Sequence, residues 1–280
     1  MLRRKWTIGA SMLVGTLSSS VAVLAAPVPW EMNFQPAVTP VMERIEDFHR
    51  LLLVIITLIS VFVLALLVWI AIRYNKRANP TPSKVTHNTL LEVVWTAVPV
   101  VILVLIAIPS FRLLYFEAVL PPADLKIKAI GKQWYWTYEY PQNGDFQFDS
   151  LGLSDDAAAK VGEPRLLGVD NVVVVPVNKV VWVQTTGADV IHSWAVPAFG
   201  VKMDAVPGRI NTTWFKATKL GTYYGECSEL CGARHAYMPI EVKVVSEADF
   251  ETWAAAAKKK FADNGSNDGT GTTRTAALAK

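Results

Sequence analysis

The only two cysteines of the 280-residue chain, Cys227 and Cys231, stand four residues apart in the segment GECSELCGARHAYMP. His235 and Met238 follow in the same segment. Thiolate, imidazole and thioether groups together form a soft ligand set, and such sets select copper. A Cys/His/Met combination is typical of electron-transfer copper held in a β-sandwich. The segment therefore predicts a copper site.

A disulfide and a zinc site are the alternatives for this segment. Two cysteines in an oxidising compartment usually pair, and the cysteine count alone leaves a disulfide about as favoured as a metal site. A structural bridge, however, needs neither a histidine nor a methionine beside it. Zinc is the next alternative, but zinc sites rarely recruit methionine. The neighbouring residues thus favour copper.

One more ligand is expected from a different strand, because copper sites in β-sandwiches join a distant histidine to a C-terminal loop. Of the four histidines, His49 and His87 lie beside apolar segments and His235 is already in the loop, which leaves His192 in DVIHSWAVP. A histidine with apolar neighbours is more often a packed structural residue than a ligand. The exclusion of the other three favours His192 as the distant ligand.

These five side chains exceed the needs of one copper ion. A mononuclear site uses one cysteine, two histidines and one weak axial ligand. Two copper ions that share both sulfurs as bridges accommodate the extra thiolate, and each then needs one histidine and one weak ligand. Met238 supplies one weak ligand and a backbone carbonyl between the cysteines the other. Such a pair spreads one electron over two metals, which favours fast electron transfer.

Two apolar segments can cross a membrane, at 51–72 and 93–116, since a span needs about 20 apolar residues. The loop 73–92 is rich in lysine and arginine, with no acid before Glu92 at its end. The positive-inside rule places this loop in the cytoplasm. The outer N-terminal segment, 27–50, and everything after about Leu120 then lie on the other side.

The N-terminus, 1–26, indicates a secretory signal peptide. Arg3, Arg4 and Lys5 precede a moderately apolar stretch, and Ala25 and Ala26 offer a cleavage site. An uncleaved anchor helix is the alternative. Export of the N-terminus agrees with the topology that the loop charges predict.

Residues 123–245 are expected to form a β-sandwich, because short segments rich in Val, Ile, Thr and aromatic residues alternate with turn residues. A closing helix is predicted at 246–261, with Ser246 as its N-cap, and a disordered tail at 262–280. From 123 to 252 there are 12 lysines and arginines against 16 aspartates and glutamates, a balance of −4. This balance argues against a nucleic-acid partner.

Between about Pro36 and Val245 the chain resembles subunit II of bacterial haem–copper cytochrome c oxidases. The resemblance rests on the segments GECSELCGARHAYMP, DVIHSWAVPAFGVKMDAVPGR, GKQWYWTYEY and LLEVVWTAVPVVILVLIAIPSFRLLY. It implies a two-helix transmembrane hairpin followed by an all-β cupredoxin-like sandwich. It also implies a bacterial inner-membrane protein that crosses the membrane more than once, with its C-terminal domain in the periplasm. The expected partners are cytochrome c, oxidase subunit I, other oxidase subunits and the lipid bilayer.

The resemblance implies a dinuclear copper A centre. Its ligands would be His192, Cys227, Cys231, His235 and Met238, with the backbone carbonyl of Glu229. The carboxylate of Glu229 would bind a magnesium or manganese ion shared with subunit I. A solvated loop acid is the simpler interpretation of that carboxylate.

Other roles follow from the same resemblance. Trp134 would receive electrons from cytochrome c, although an ordinary core tryptophan fits the composition equally well. The residues that align with the cytochrome c docking face are Tyr135, Glu139, Asp145, Asp149 and Asp189. An acidic patch there would steer a basic partner. Without the resemblance, most of these acids would be ordinary solvated surface.

Glu92 aligns with the acid at the mouth of a proton-conducting pathway. Its position at the cytoplasmic edge of a span suits proton collection, and a simple interfacial anchor is the alternative. The implied function is electron transfer from cytochrome c to the haem of subunit I, for reduction of oxygen to water coupled to proton translocation. Three other functions remain: a quinol oxidase subunit without copper, a copper-delivery or zinc-binding membrane protein, and a nitrous oxide reductase, which would need a much larger second domain.

Overall fold

The computed structural model describes residues 27–261. Within that range it contains two long helices, ten strands and two shorter helices. The expected signal peptide, 1–26, and the expected tail, 262–280, lie outside the described residues.

Helix α1 (Pro40–Arg73) and helix α2 (Thr89–Ala118) contain the two apolar segments. The side chain of Thr39 caps α1 by accepting a hydrogen bond from the backbone N–H of Met42, and Asn88 caps α2 in the same way. Both helices extend beyond the predicted spans, and α1 begins well before Leu51. The apolar segments of both helices are not buried within the described chain, so their side chains must face lipid or another subunit.

The sandwich consists of two five-stranded sheets in the part of the chain that is described. Strands β1 to β5 are Leu125–Lys132, Tyr135–Tyr140, Phe146–Ser150, Val173–Pro176 and Val181–Gly187. Strands β6 to β10 are His192–Val196, Val201–Ala205, Asn211–Phe215, Gly221–Cys227 and Pro239–Val245. The first sheet has the order β3-β2-β1-β5-β8 and the second the order β4-β10-β9-β6-β7. The pairs β1–β5 and β4–β10 are parallel and the other pairs are antiparallel.

The core lies between the sheets and is rich in aromatic side chains. Burial alternates along β1, as expected of a strand with one face inward. Trp194 stacks on Phe215 with ring centroids 6.3 Å apart, and Phe199 stacks on the same ring at 4.5 Å. Helix α3 (Asp155–Val161) lies in the connection between β3 and β4. Helix α4 (Glu247–Phe261) follows the last strand and packs against β3 and β4. Ser246 accepts a hydrogen bond from the N–H of Asp249, as the N-cap prediction requires.

The start of α1 is tied into the sandwich. The hydroxyl of Thr39 donates to the carbonyl of Phe199 at 2.7 Å, and the N–H of Thr218 donates to the carbonyl of Val38 at 2.9 Å. Val38 and Met42 are buried. These contacts hold the start of α1 against the turn that follows β6 and against the loop between β8 and β9. The predicted fold class, a helical hairpin followed by an all-β cupredoxin-like sandwich, is confirmed.

Candidate metal centre

The ends of two paired strands and one loop form the site. His192 is the first residue of β6 and Cys227 the last of β9. The two strands pair so that Trp194 lies opposite Cys227, which places the start of β6 beside the end of β9. The loop 228–238 then leads to β10 and contains a short 3-10 turn, His235–Tyr237.

Each thiol lies close to an imidazole and to a weaker donor. Cys227 Sγ lies 3.9 Å from His192 Nδ1 and 3.3 Å from the carbonyl oxygen of Glu229. The two sulfurs are 3.9 Å apart. Cys231 Sγ lies 3.6 Å from His235 Nδ1 and 3.5 Å from Met238 Sδ. The structure thus brings all six predicted donors together around the two sulfurs.

The chemistry of these donors suits a buried soft metal. Cys227, Cys231 and Met238 are each 3% exposed or less, and His192 is fully buried. Both cysteines are free thiols, because their sulfurs are much farther apart than the roughly 2.05 Å of a disulfide. The ligand atoms of His192, Cys227 and Cys231 all lie within 4.8 Å of one another. These donors would suit a soft metal such as copper.

Asp189 orients the histidine of β6. Its Oδ1 accepts a hydrogen bond from His192 Nε2 at 2.8 Å, which turns Nδ1 toward Cys227. Its Oδ2 accepts from the N–H of Gln133 at 2.7 Å, and the Gln133 amide donates to the carbonyl of Cys231 at 2.8 Å. Burial alone would lower the pKa of His192, but the hydrogen bonds with Cys227 and Asp189 raise it.

The two thiols are not equivalent in the metal-free protein. Burial opposes ionisation of Cys227, yet hydrogen bonds from His192 and the surrounding backbone lower its pKa below the usual value. Burial raises the pKa of Cys231, and the neighbouring charge of Cys227 raises it further. One thiolate therefore forms before the other, and metal binding must displace the second proton.

Gly131 leaves room for the imidazole of His192. A Cβ placed on Gly131 would lie 2.7 Å from Cγ and Cδ2 of that ring. Trp136 packs edge-on against the same ring, with centroids 6.0 Å apart. The ring is thus held by packing on the first sheet as well as by the Asp189 carboxylate.

Trp134 lies between β1 and β2, against the cysteine loop. A Cβ on Gly232 would be 3.1 Å from Trp134 Cζ2 and 3.0 Å from Gln133 Nε2. The indole is half-buried, and its Nε1 has no hydrogen-bond partner within the described range. The side chain therefore sits beside the proposed metal loop rather than in the centre of the sandwich.

The other residues expected to contact cytochrome c are spread over the first sheet and its connections. Glu139 is paired with Lys128 at 3.1 Å, and Asp149 accepts a hydrogen bond from the Thr137 hydroxyl at 2.6 Å. Asp145 is exposed in the turn between β2 and β3, at the far end of β2 from Trp134, about 20 Å away at 3.3 Å per residue. Tyr135, which lies under Lys132, follows Trp134 in the chain, and Asp189 accepts a hydrogen bond from the N–H of Gln133, which precedes Trp134.

Glu229 and Glu92 are both exposed. Glu229 lies at the tip of the cysteine loop beside Leu230, whose side chain is 80% exposed. Glu92 occupies the first turn of α2, at the end of the hairpin remote from the sandwich.

The sequence interpretation missed three residues that support the site. Asp189 was expected on a docking surface, and its contact with His192 was not anticipated. Gln133 and Gly131 belong to the segment GKQWYWTYEY, but their contacts with Cys231 and His192 cross between sheets, and no local pattern signals them.

Comparison with known proteins shows the family. The protein-family model described as cytochrome C oxidase subunit II, periplasmic domain, matches residues 125–245. The family model of the transmembrane domain of the same subunit matches residues 27–113. A probable cytochrome c oxidase subunit 2 of Rickettsia bellii (strain RML369-C) is 51% identical over 256 residues, covering 91% of this chain and 94% of the relative. Cytochrome c oxidase subunit 2 of Cereibacter sphaeroides is 43% identical over 273 residues, covering 90% of both.

A crystal structure of the periplasmic domain of subunit II (CoxB) of Bradyrhizobium japonicum is 62% identical, with a TM-score of 0.48. It covers 51% of this chain and 99% of that one. Both parts of the molecule, the hairpin and the sandwich, are matched by the family models, and the Rickettsia relative is matched over almost its full length. The chain therefore belongs to the cytochrome c oxidase subunit II family.

Proposed function

We propose that this chain is the subunit through which electrons enter a haem–copper oxidase. It would accept single electrons from cytochrome c at a dinuclear copper A centre and pass them to a haem of subunit I. Oxygen would be reduced to water in subunit I, coupled to proton translocation. The observation that carries this proposal is the gathering of six soft or weak donors around the two buried sulfurs of Cys227 and Cys231.

In this proposal both Cys227 and Cys231 would hold both copper ions, and the terminal ligands would be His192, His235, Met238 and the backbone carbonyl of Glu229. When bound, a thiolate-bridged copper pair supplies a one-electron redox couple shared over two metals. The protein contributes a rigid, dry setting, because the thiols and the thioether are buried. Asp189 presents Nδ1 of His192 to the site, as carboxylates commonly do for metal-bound histidines.

Electron paramagnetic resonance of the copper-loaded full chain tests the centre. One electron shared over two copper nuclei gives a seven-line pattern. Cys227→Ser should abolish that pattern, since a hydroxyl cannot bridge two coppers as a thiolate does. The matched control is Ser228→Ala, one residue away and without a ligand role. A four-line mononuclear spectrum in the unaltered chain would contradict the proposal, and zinc in place of copper on metal analysis would do so too.

For cytochrome c we propose docking near Trp134, with Tyr135, Glu139, Asp145, Asp149 and Asp189 contributing negative or polar surface. Because Asp189 also contacts His192, the test should neutralise Asp145 and Asp149 only. Their replacement by asparagine should weaken cytochrome c binding to the assembled oxidase, most strongly at low ionic strength where screening is weakest. Unchanged affinity at low salt would place the docking face elsewhere.

Two further roles complete the proposal. The exposed carboxylate of Glu229 would bind a magnesium or manganese ion shared with subunit I. Glu92, at the far end of α2, would collect protons at the cytoplasmic surface. The proposal puts the protein in a bacterial inner membrane, with its sandwich in the periplasm and its loop 73–92 in the cytoplasm. Glu92→Gln should slow oxygen turnover and leave the copper spectrum unchanged.

A further inference from the structure

A cavity of about 620 Å³ lies where the two long helices meet the sandwich. Arg112, Tyr115 and Phe116 of α2 line it, together with Arg44 of α1 and Trp214 of β8. Its walls are almost wholly apolar apart from the two arginines. The cavity is remote from the cysteine loop, and no role proposed above uses it.

The position of Arg44 is set by aromatic packing. Its guanidinium carbon lies 3.6 Å from the centroid of the Phe116 ring. Phe116 in turn meets Trp214 edge-on, with centroids 5.5 Å apart, and the Trp214 indole donates to the carbonyl of Glu117 at 3.1 Å. This arrangement holds a cation against the cavity wall by a cation–π contact.

Neither arginine has an acidic partner among the described residues. Asp47 lines a smaller adjoining cavity with Arg44 and Arg112, but its carboxylate is already paired with Arg50 at 2.7 Å. The main cavity is therefore lined by two arginines that form no salt bridge with the described residues.

The two arginines lie at the depth of lipid headgroups. Arg112 ends the uncharged stretch 93–111 of α2, which at 1.5 Å per residue is about as long as the hydrocarbon is thick, so the hydrocarbon edge lies at Arg112 rather than at 116, the end of the expected span. Arg44 precedes the apolar stretch of α1 by seven residues, or about 10 Å along the helix. The polar layer of one leaflet is roughly 5–8 Å thick. The two guanidinium groups thus bracket that layer on the side of the sandwich.

We propose that this cavity binds the headgroup of an anionic phospholipid from the leaflet next to the sandwich. The phosphate would lie between Arg44 and Arg112. The acyl chains would follow the apolar surface of α2 from Tyr115 toward the end of the helix that is remote from the sandwich. Guanidinium groups bind phosphate through paired, charge-assisted hydrogen bonds. An apolar helix of another subunit is a poorer occupant, because it would bury two cations without counter-charge.

Native mass spectrometry of the full chain in a neutral detergent tests the proposal. Titration with phosphatidylglycerol should give one tight adduct, and phosphatidylcholine should bind more weakly. Arg44→Gln and Arg112→Gln should each weaken the phosphatidylglycerol adduct roughly fivefold, and the double variant roughly 25-fold. Arg44→Lys, which keeps the charge, should retain most of the affinity. Glycerol 3-phosphate, which lacks acyl chains, should not compete if a lipid rather than a free phosphate is the ligand.

Arg73→Gln is the matched control. It removes one positive charge at the opposite end of α1, beside the other leaflet. An equal loss in Arg73→Gln and Arg112→Gln would reveal a general charge effect and overturn the site. Unaltered melting temperature and copper content in the arginine variants would show that the loss is not a failure to fold.

The assembled oxidase provides the second arm. Phosphatidylglycerol with a photoactivatable acyl chain, incorporated in membranes, should crosslink to peptides that contain Tyr115 and Phe116 or Trp214. Absence of these crosslinks in the complex would mean that a subunit covers the cavity. If the arginine variants bound lipid normally but no longer assembled with subunit I, a subunit rather than lipid would again be the occupant. Either result would refute the proposal.

Discussion

The carboxylate of Asp189 and the imidazole of His192 form a hydrogen bond of 2.8 Å that decides which ring nitrogen faces Cys227. The same carboxylate accepts from the N–H of Gln133, whose side chain reaches the carbonyl of Cys231. One acidic residue is thereby linked to both thiols of the proposed centre. Asp189 therefore acts mainly by positioning these residues, because the hydrogen bonds that it accepts occupy both of its carboxylate oxygens.

Asp189→Asn should lower copper affinity about 10- to 100-fold, the usual effect of removing the partner of a metal-bound histidine. The amide nitrogen would face the Gln133 N–H, and two donors cannot pair. Copper titration against a competing chelator measures the change. Asp145→Asn, in an exposed turn far from the ligands, is the control and should bind copper normally. Equal affinity of the two variants would remove Asp189 from its positioning role.

Gly131→Ala should displace the His192 ring, because the added Cβ would approach it to 2.7 Å. We expect altered copper hyperfine structure or reduced copper content in a chain that still folds. Gly162→Ala is the comparison, since its Cβ would meet nothing within 4 Å while its φ of +78° still strains the backbone. That variant should lose a little stability and keep the copper spectrum. An unaltered spectrum in Gly131→Ala would show that the ring can move aside.

The predicted ligand set illustrates what a sequence can reveal. Cys227, Cys231, His235 and Met238 lie close together in the chain, so their spacing alone indicates a shared site. His192 could be added because so few histidines exist. The packing around these ligands could not be predicted, since it depends on contacts between residues far apart in sequence, such as Gly131 with His192.

The helix boundaries show a second limit. Apolar composition indicates the spans at 51–72 and 93–116, but α1 begins at Pro40. Its first turn is amphipathic and packs on the sandwich through Val41 and Met42, which are buried. Hydropathy detects membrane-facing surface and is insensitive to a helical turn that a neighbouring domain stabilises.

Met238→Leu should preserve the dinuclear centre and change its redox potential. In the proposed centre the thioether would be a weak ligand; it lies 3.5 Å from Cys231 Sγ and is buried, so leucine fills its volume without binding metal. Redox titration of the copper absorption provides the measurement. Met203→Leu, on β7 and outside the loop, is the matched control. A potential equal to that of the control would exclude Met238 as a ligand.

Glu241 should make the sandwich less stable as the pH rises. Burial raises the pKa of this carboxyl to about 7, the N–H of Val169 partly opposes the shift, and the charge of Glu163 adds to it. Between about pH 4.5 and 7 the folded chain binds more protons than the unfolded chain, so the stability that the neutral acid provides at low pH is lost as the pH rises through 7.

The expected loss is at most about 3 kcal/mol. The difference in unfolding free energy between Glu241→Gln and the unaltered chain, followed from pH 4 to 8, isolates this residue from other titrations. The difference should grow in favour of the variant up to about pH 7 and then level off. Glu251→Gln, exposed on α4, is the control for the loss of a surface carboxylate. A flat difference for Glu241→Gln would mean that the carboxyl is solvated in the folded chain.

Trp134→Gln should slow the transfer of electrons from bound cytochrome c by orders of magnitude while the copper spectrum stays intact. The indole packs against Gly232, next to Cys231, yet it offers no ligand and carries no charge. If Trp134 were instead an ordinary core residue, the change would cost roughly 3–5 kcal/mol and disturb the copper. Flash-induced electron injection measured beside thermal unfolding separates these outcomes. Trp182→Gln, which removes another half-buried indole from the same sheet, should affect stability and leave the injection rate unchanged. A normal rate in folded, copper-replete Trp134→Gln would show that electrons reach the centre by another route.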